Sequence, residues 1–131
     1  TDQLTDTFHV KTDIENSLKA GIRWQLMYEE SMQLCDEVTV YHLGPGHSYG
    51  MLALLVKGEN GNYILASDAV YSKAHYGPPA QMAGVCIDEA GYYRTIEKIR
   101  AISEVNNAEV FFGHDMNQFK ELQKRYASGT L

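Results

Sequence analysis

Three residues with metal-binding side chains follow three apolar runs of this 131-residue chain: His47 after 38–43, Asp68 after 63–66, and His114 after 110–112. Imidazole and carboxylate groups are ligands for Zn2+, Mn2+, Fe2+ or Co2+, and the set does not choose among them. In layered α/β folds such groups collect where loops leave strand ends, because the sheet fixes the loop bases while the tips adapt. Gly46, Gly50 and Gly113 stand beside the histidines, where tight turns would bring each ring towards a common centre. Taken singly, each residue has an ordinary alternative. A histidine at a turn serves as a hydrogen-bonded surface group, and an aspartate after a strand serves as a cap.

Positioning these residues requires strands and helices, and their signals run the length of the chain. Thr12 with Glu15 forms a capping box, and Ile14, Leu18 and Ile22 recur every four residues, which predicts a helix over 12–30 widened by Trp24, Leu26 and Met27. A β-rich run at 38–43 ends in Gly44-Pro45-Gly46, where the chain must turn. Runs at 51–56 and 63–66 flank an Asn60-Gly61 step and predict an antiparallel hairpin. The connection from 71 to about 89 contains Pro78-Pro79 and reads as a candidate wall of a binding site. Ile96, Ile99 and Ile102 mark a helix over 91–106, Val110, Phe111 and Phe112 a buried strand, and Phe119, Leu122 and Tyr126 a last helix.

This order implies one mixed sheet with helices on one face, an α/β (α+β) arrangement, over a single domain spanning 1–131. The run 51–56 is apolar at every position, as in a strand buried on both faces. The helices available cover one face, so the other is expected to need a partner, most simply a second copy of the chain in a homodimer.

Composition excludes several classes. Net charge is −6 and the basic residues are scattered, which argues against a nucleic-acid partner. The longest apolar run is far below the roughly 20 residues that span a bilayer, and the polar N-terminus lacks a signal-peptide pattern. Cys35 and Cys86 lie far apart and suit a reducing compartment. The expectation is a soluble, cytoplasmic protein with no membrane partner.

The three ligand segments together resemble the metallo-β-lactamase superfamily. Gly44-Pro45-Gly46-His47-Ser48-Tyr49-Gly50 is similar to its Pro-Gly-His-x-x-Gly motif, Ser67-Asp68-Ala69 to its Gly-Asp segment, and Phe111-Phe112-Gly113-His114-Asp115 to its closing Gly-His. Within the superfamily the N-acyl homoserine lactonases match best, through Asp68-Ala69-Val70-Tyr71 and the segment ending His114-Asp115; the resemblance covers about 38–125. It implies that His47 completes the first metal's coordination, that Asp68 bridges two metals, Zn2+ foremost, and that His114 binds the second. Asp68 and Tyr71 take catalytic roles in the same reading, with Tyr71 hydrogen-bonding the carbonyl or leaving group of a lactone or ester substrate. Two such cations would activate water near neutral pH and polarise the carbonyl.

The family's His-x-His-x-Asp-His motif occurs nowhere in the chain, and His9 and His42 stand alone. In the family that motif belongs to the N-terminal half of an αββα sandwich. The resemblance therefore implies the C-terminal half of that fold, with the N-terminal half absent, as a start at Thr1 also allows. Such a chain is expected to hold metal incompletely and to be inactive or weakly active alone. Two other readings stand beside the lactonase. One is a glyoxalase-like thioesterase, although few residues follow His114 to build its helical substrate domain; the other is a non-catalytic half-fold interaction module.

Overall fold

The computed structural model describes residues 11–130. In chain order it contains α1 (Lys11–Lys19), β1 (Ser31–Cys35), β2 (Val38–Gly44), β3 (Met51–Gly58), β4 (Gly61–Ser67), α2 (Lys73–Tyr76), α3 (Glu89–Asn106), β5 (Ala108–Phe112) and α4 (Met116–Ala127). The strands form one mixed sheet ordered β1-β2-β3-β4-β5. The first four pair antiparallel, while β5 joins β4 in parallel through the crossover helix α3. Consequently β2, β4 and β5 run in one direction and end at the same edge of the sheet. That edge is where His47, Asp68 and His114 leave it.

The hairpin between β3 and β4 forms, with Gly58 paired to Gly61. Its two-residue turn is Glu59-Asn60, one position earlier than the Asn-Gly step suggests. The core lies between α3 and one sheet face. Tyr92, Ile96 and Ile99, spaced at helical intervals, are fully buried against a layer that includes Leu55, Ile64, Ala53 and Val110. Asp88 caps α3 by accepting from the Gly91 amide at 2.8 Å. At the other end Asn107 adopts the left-handed conformation, φ 46°, that closes a helix.

Among the described residues strand β3 is buried on one face and partly exposed on the other. Met51, Ala53 and Leu55 are buried under α3, whereas Leu52 is 44% exposed and Leu65, on the same outer face, is 39% exposed. The pairings place Val40, Leu54, Leu65 and Phe111 side by side on that outer face. An apolar sheet face thus lies partly open, among the described residues.

Three sequence expectations change. The first helix ends at Lys19 rather than 30, because Gly21 takes φ 79° and the Ile22 and Gly21 amides return to the carbonyls of Ser17 and Leu18, a left-handed helix stop. Beyond it Ile22, Trp24 and Leu26 are exposed rather than packed on a helix face. Thr12 lies inside α1 rather than capping it. Strand β1 was not legible because its pattern is almost wholly exposed, as an edge strand with little core behind it can be. The 71–89 connection contains the single turn α2. His9 lies outside the described residues. Among those residues no helix is long and apolar enough to cross a membrane.

The outer edge of β5 is closed by a side chain. The Gln118 amide donates to the Val110 carbonyl at 2.7 Å and accepts from the Phe112 amide at 2.9 Å, standing in for a neighbouring strand. Asp115 positions α4 for this. It accepts from the backbone amides of Lys73, Asn117 and Gln118 at 2.9 to 3.0 Å, and these bonds hold its carboxyl below the usual carboxylate range. Asp115→Ala should therefore destabilise the protein by about 1 to 2 kcal/mol in urea unfolding. A carboxyl with a depressed folded pKa stabilises fully above its unfolded value near 3.9, and the contribution is lost as pH falls through the lower folded value. The difference between wild type and Asp115→Ala should accordingly persist at pH 7 and shrink below about pH 4.

Candidate functional site

The three segments meet because of the sheet's directions. β4 and β5 are parallel neighbours, and their exits stay laced together: the Gly113 amide donates to the Val70 carbonyl at 3.2 Å and the His114 amide to the Tyr71 carbonyl at 2.8 Å. Ser67, at the exit of β4, takes φ 47°, a left-handed conformation costing a non-glycine residue of order 1 kcal/mol. Gly113 packs so closely there that a Cβ would sit 2.6 Å from the Ser67 carbonyl oxygen and 3.2 Å from Asp68 Oδ1. Side chains at 68 and 114 are thereby brought into contact.

His47 arrives from β2 and is clamped by the start of α3. The Gly46 carbonyl accepts from the Ile87 amide at 2.9 Å, the Asp88 amide at 3.2 Å and the Cys86 thiol at 3.3 Å. Gly91 and Gly46 permit this approach, since a Cβ on Gly91 would lie 2.4 Å from the Pro45 carbonyl oxygen and one on Gly46 would lie 3.2 Å from Tyr92 Cα. Gly50, by contrast, has open space around it and no left-handed backbone, so no packing demand for glycine is visible there.

At the centre, Asp68 presents one carboxylate oxygen to each imidazole. His114 Nε2 is 2.8 Å from Oδ1, and His47 Nε2 is 3.7 Å from Oδ2. His47 is buried and its Nδ1 lies 3.1 Å from the Val85 carbonyl and 3.1 Å from the Tyr71 hydroxyl oxygen. A carbonyl only accepts, so Nδ1 carries a ring hydrogen, and Nε2 is the nitrogen that faces Asp68. Imidazole nitrogens and a shared carboxylate are donor groups of the kind that metal sites use.

The arrangement is a line, imidazole, carboxylate, imidazole, rather than a ring of donors. Among the described residues no group of three or more His, Cys, Asp or Glu side chains is gathered around one point closely enough to hold an ion. Each imidazole faces its own oxygen of Asp68. Tyr71 joins all of this. Its ring meets His114 edge-on with centroids 4.7 Å apart and His47 at 5.5 Å. Burial, and secondarily the Asp68 charge, pushes its phenol above the ordinary value, so it remains a hydrogen-bond donor at neutral pH.

His42 lies on β2, away from this line, with its carbonyl accepting from Lys98. The Val85 carbonyl and His75 were not singled out from sequence. The first carries no side-chain signal; the second offered only its position four residues after Tyr71, about one helical turn.

Several proteins similar to this chain in sequence carry the name N-acyl homoserine lactonase. N-acyl homoserine lactonase AiiB of Agrobacterium fabrum is 40% identical over 119 residues, covering 88% of this chain and 43% of that protein. N-acyl homoserine lactonase of Bacillus thuringiensis is 31% identical over 77 residues, covering 58% of this chain and 30% of the relative. The chain is homologous to part of the N-acyl homoserine lactonases. A solved N-acyl homoserine lactone hydrolase with the product N-hexanoyl-L-homoserine at its catalytic metal centre superposes with a TM-score of 0.64 at 26% identity, over 73% of this chain and 38% of that one. A probable metal-dependent hydrolase from Staphylococcus aureus shares the fold at 18% identity, with a TM-score of 0.56 over 69% of this chain and 32% of that one. No family model matches. The chain spans 43% of the length of its AiiB relative, so its lactonase likeness concerns part of such a protein.

The close approach at Gly113 yields a test. Gly113→Ala should destabilise the fold by about 1 to 3 kcal/mol and separate His114 from Asp68, since backbone must move to admit the methyl group. Ser67→Gly should cost little or stabilise slightly, by relieving the left-handed backbone. Thermal unfolding, with the His114 ring shifts followed by NMR, checks both.

Proposed function

We propose that this chain supplies half of a two-metal site in a hydrolase that opens lactones of the N-acyl homoserine lactone kind. The observation that carries the reading is the Asp68 carboxylate, offering one oxygen to His47 and the other to His114. His47, Asp68 and His114 would hold two divalent ions, Zn2+ being our first choice, with Asp68 as the bridge. Such ions, when bound, polarise an ester carbonyl and activate water near neutral pH.

The chain's own residues do the rest of what lies within its reach. The Val85 carbonyl fixes the His47 tautomer so that Nε2 is the ligating nitrogen. With His47 Nδ1 donating, the Tyr71 oxygen accepts at that contact, and its hydroxyl hydrogen is free to turn towards a substrate carbonyl or departing alkoxide oxygen. The other ligands, of the His-x-His-x-Asp-His kind, come from outside this chain. The rest of the longer polypeptide covers the apolar sheet face around Leu52 and Leu65, or a second copy does so when this chain stands alone. Cys35 and Cys86, both free thiols, suit work in the cytoplasm.

Joined to the remainder of its polypeptide, the protein should bind about two ions and open an acyl homoserine lactone, while the 131-residue chain alone should bind metal weakly and turn over poorly or not at all. Tyr71→Phe in the joined protein should lower kcat by about a hundredfold with metal retained. Full turnover by the isolated chain would refute the half-site. Metal without lactone opening in the joined protein would favour a thioesterase-like substrate. Sedimentation of the isolated chain should show concentration-dependent association, reduced by Leu65→Glu; a stable monomer would mean that the open face needs no partner.

A further inference from the structure

A third imidazole stands beside Tyr71 and belongs to no part of the ligand line. His75 lies in α2 with its ring edge-on to Tyr71, centroids 5.8 Å apart, so Tyr71 is flanked by His47, His114 and His75. Its Nδ1 is 2.8 Å from the Ser72 hydroxyl oxygen. Ser72 is the N-cap of α2, a position whose hydroxyl ordinarily accepts from a backbone amide two or three residues on, yet it makes no such cap bond. The helix end gives up a stabilising contact and the hydroxyl orients an imidazole instead.

The platform beneath His75 is firm. Its carbonyl accepts from the Gln81 amide at 3.0 Å, the Lys73 amide is held by Asp115, and Arg100 both donates to the Tyr76 carbonyl and lies over the Tyr76 ring at 5.1 Å. Among the described residues nothing pairs with His75 Nε2, and the side chain is half-buried rather than free in solvent. An oriented ring with an unclaimed polar atom, next to the residue whose hydroxyl faces the reacting group, is placed to recognise a ligand.

We propose that His75 is a substrate-recognition residue, whose Nε2 hydrogen-bonds a polar group of the acyl substrate, its amide or its ring ester, while the substrate lies against Tyr71. This rests on the lactonase reading above. Ser72 is the positioning residue that fixes the ring.

The joined protein, with His75→Ala, His75→Gln and Ser72→Ala, provides the test. Loss of one hydrogen bond should raise KM for an acyl homoserine lactone about threefold to tenfold in His75→Ala. Metal content and melting temperature should be unchanged and kcat should stay within about twofold. His75→Gln should recover part of the loss, and Ser72→Ala should show a smaller rise in KM. An unchanged KM in His75→Ala, or a fall in stability that accounts for the loss, overturns the proposal and leaves the lactonase reading intact. Should the unsubstituted protein open no lactone, that reading fails on its own. Calorimetric binding of N-hexanoyl-L-homoserine then decides about His75: weaker binding by His75→Ala supports recognition, and equal or absent binding overturns it.

Discussion

The Asp68 carboxylate faces an imidazole with each of its oxygens, and the geometry of the functional edge depends on that one shared group. His47 and His114 never need to meet; each needs only to reach its own side of Asp68. Asp68 is hydrogen-bonded to His114 at 2.8 Å and stands 3.7 Å from His47 Nε2 on its other oxygen. Its position follows from Ser67, whose left-handed backbone turns the chain sharply at the end of β4, and from Gly113, whose missing Cβ lets the neighbouring loop close over that turn. Local strain at Ser67 is sustained because the parallel pairing of β4 with β5 continues into the loops through the Val70 and Tyr71 carbonyls.

The second dependence is the crossover helix. α3 supplies the core, through Tyr92, Ile96 and Ile99, and its first turn also presses on the loop that carries His47. The Gly46 carbonyl receives donors from Cys86, Ile87 and Asp88, and the Val85 carbonyl takes the His47 ring hydrogen. Core packing and tautomer selection are therefore mechanically linked. The helix that makes the sheet stable is the one that aims a His47 ring nitrogen at Asp68, which is how a long connection can serve as a rigid wall.

The sheet's two faces differ in how they are covered. One face is closed by α3, while Leu52 and Leu65 remain substantially exposed on the other. The site is spread out in a comparable way, with Asp68 between His47 and His114 and, among the described residues, no three such donors gathered around one point. The chain spans 43% of the length of its AiiB relative.

What could be read from residue order was whatever depends on local periodicity and on residue type. The 96, 99, 102 spacing marked α3, the unbroken apolar run at 51–56 marked β3, and His47, Asp68 and His114 were recognisable because each follows a strand and matches a motif. Local pattern misled where local energies are weak. The apolar residues at 22, 24 and 26 continue a helical spacing past Gly21, but the left-handed glycine stops the helix, and β1 at the edge carries too little burial to leave a signal. Only the tertiary structure decided that Asp68 stands between the imidazoles, that Val85 selects the His47 tautomer, and that His75 lies against Tyr71. Those facts depend on a backbone carbonyl, on strand direction and on close approach across tens of residues, and none of these leaves a mark on the identity or spacing of neighbours in sequence.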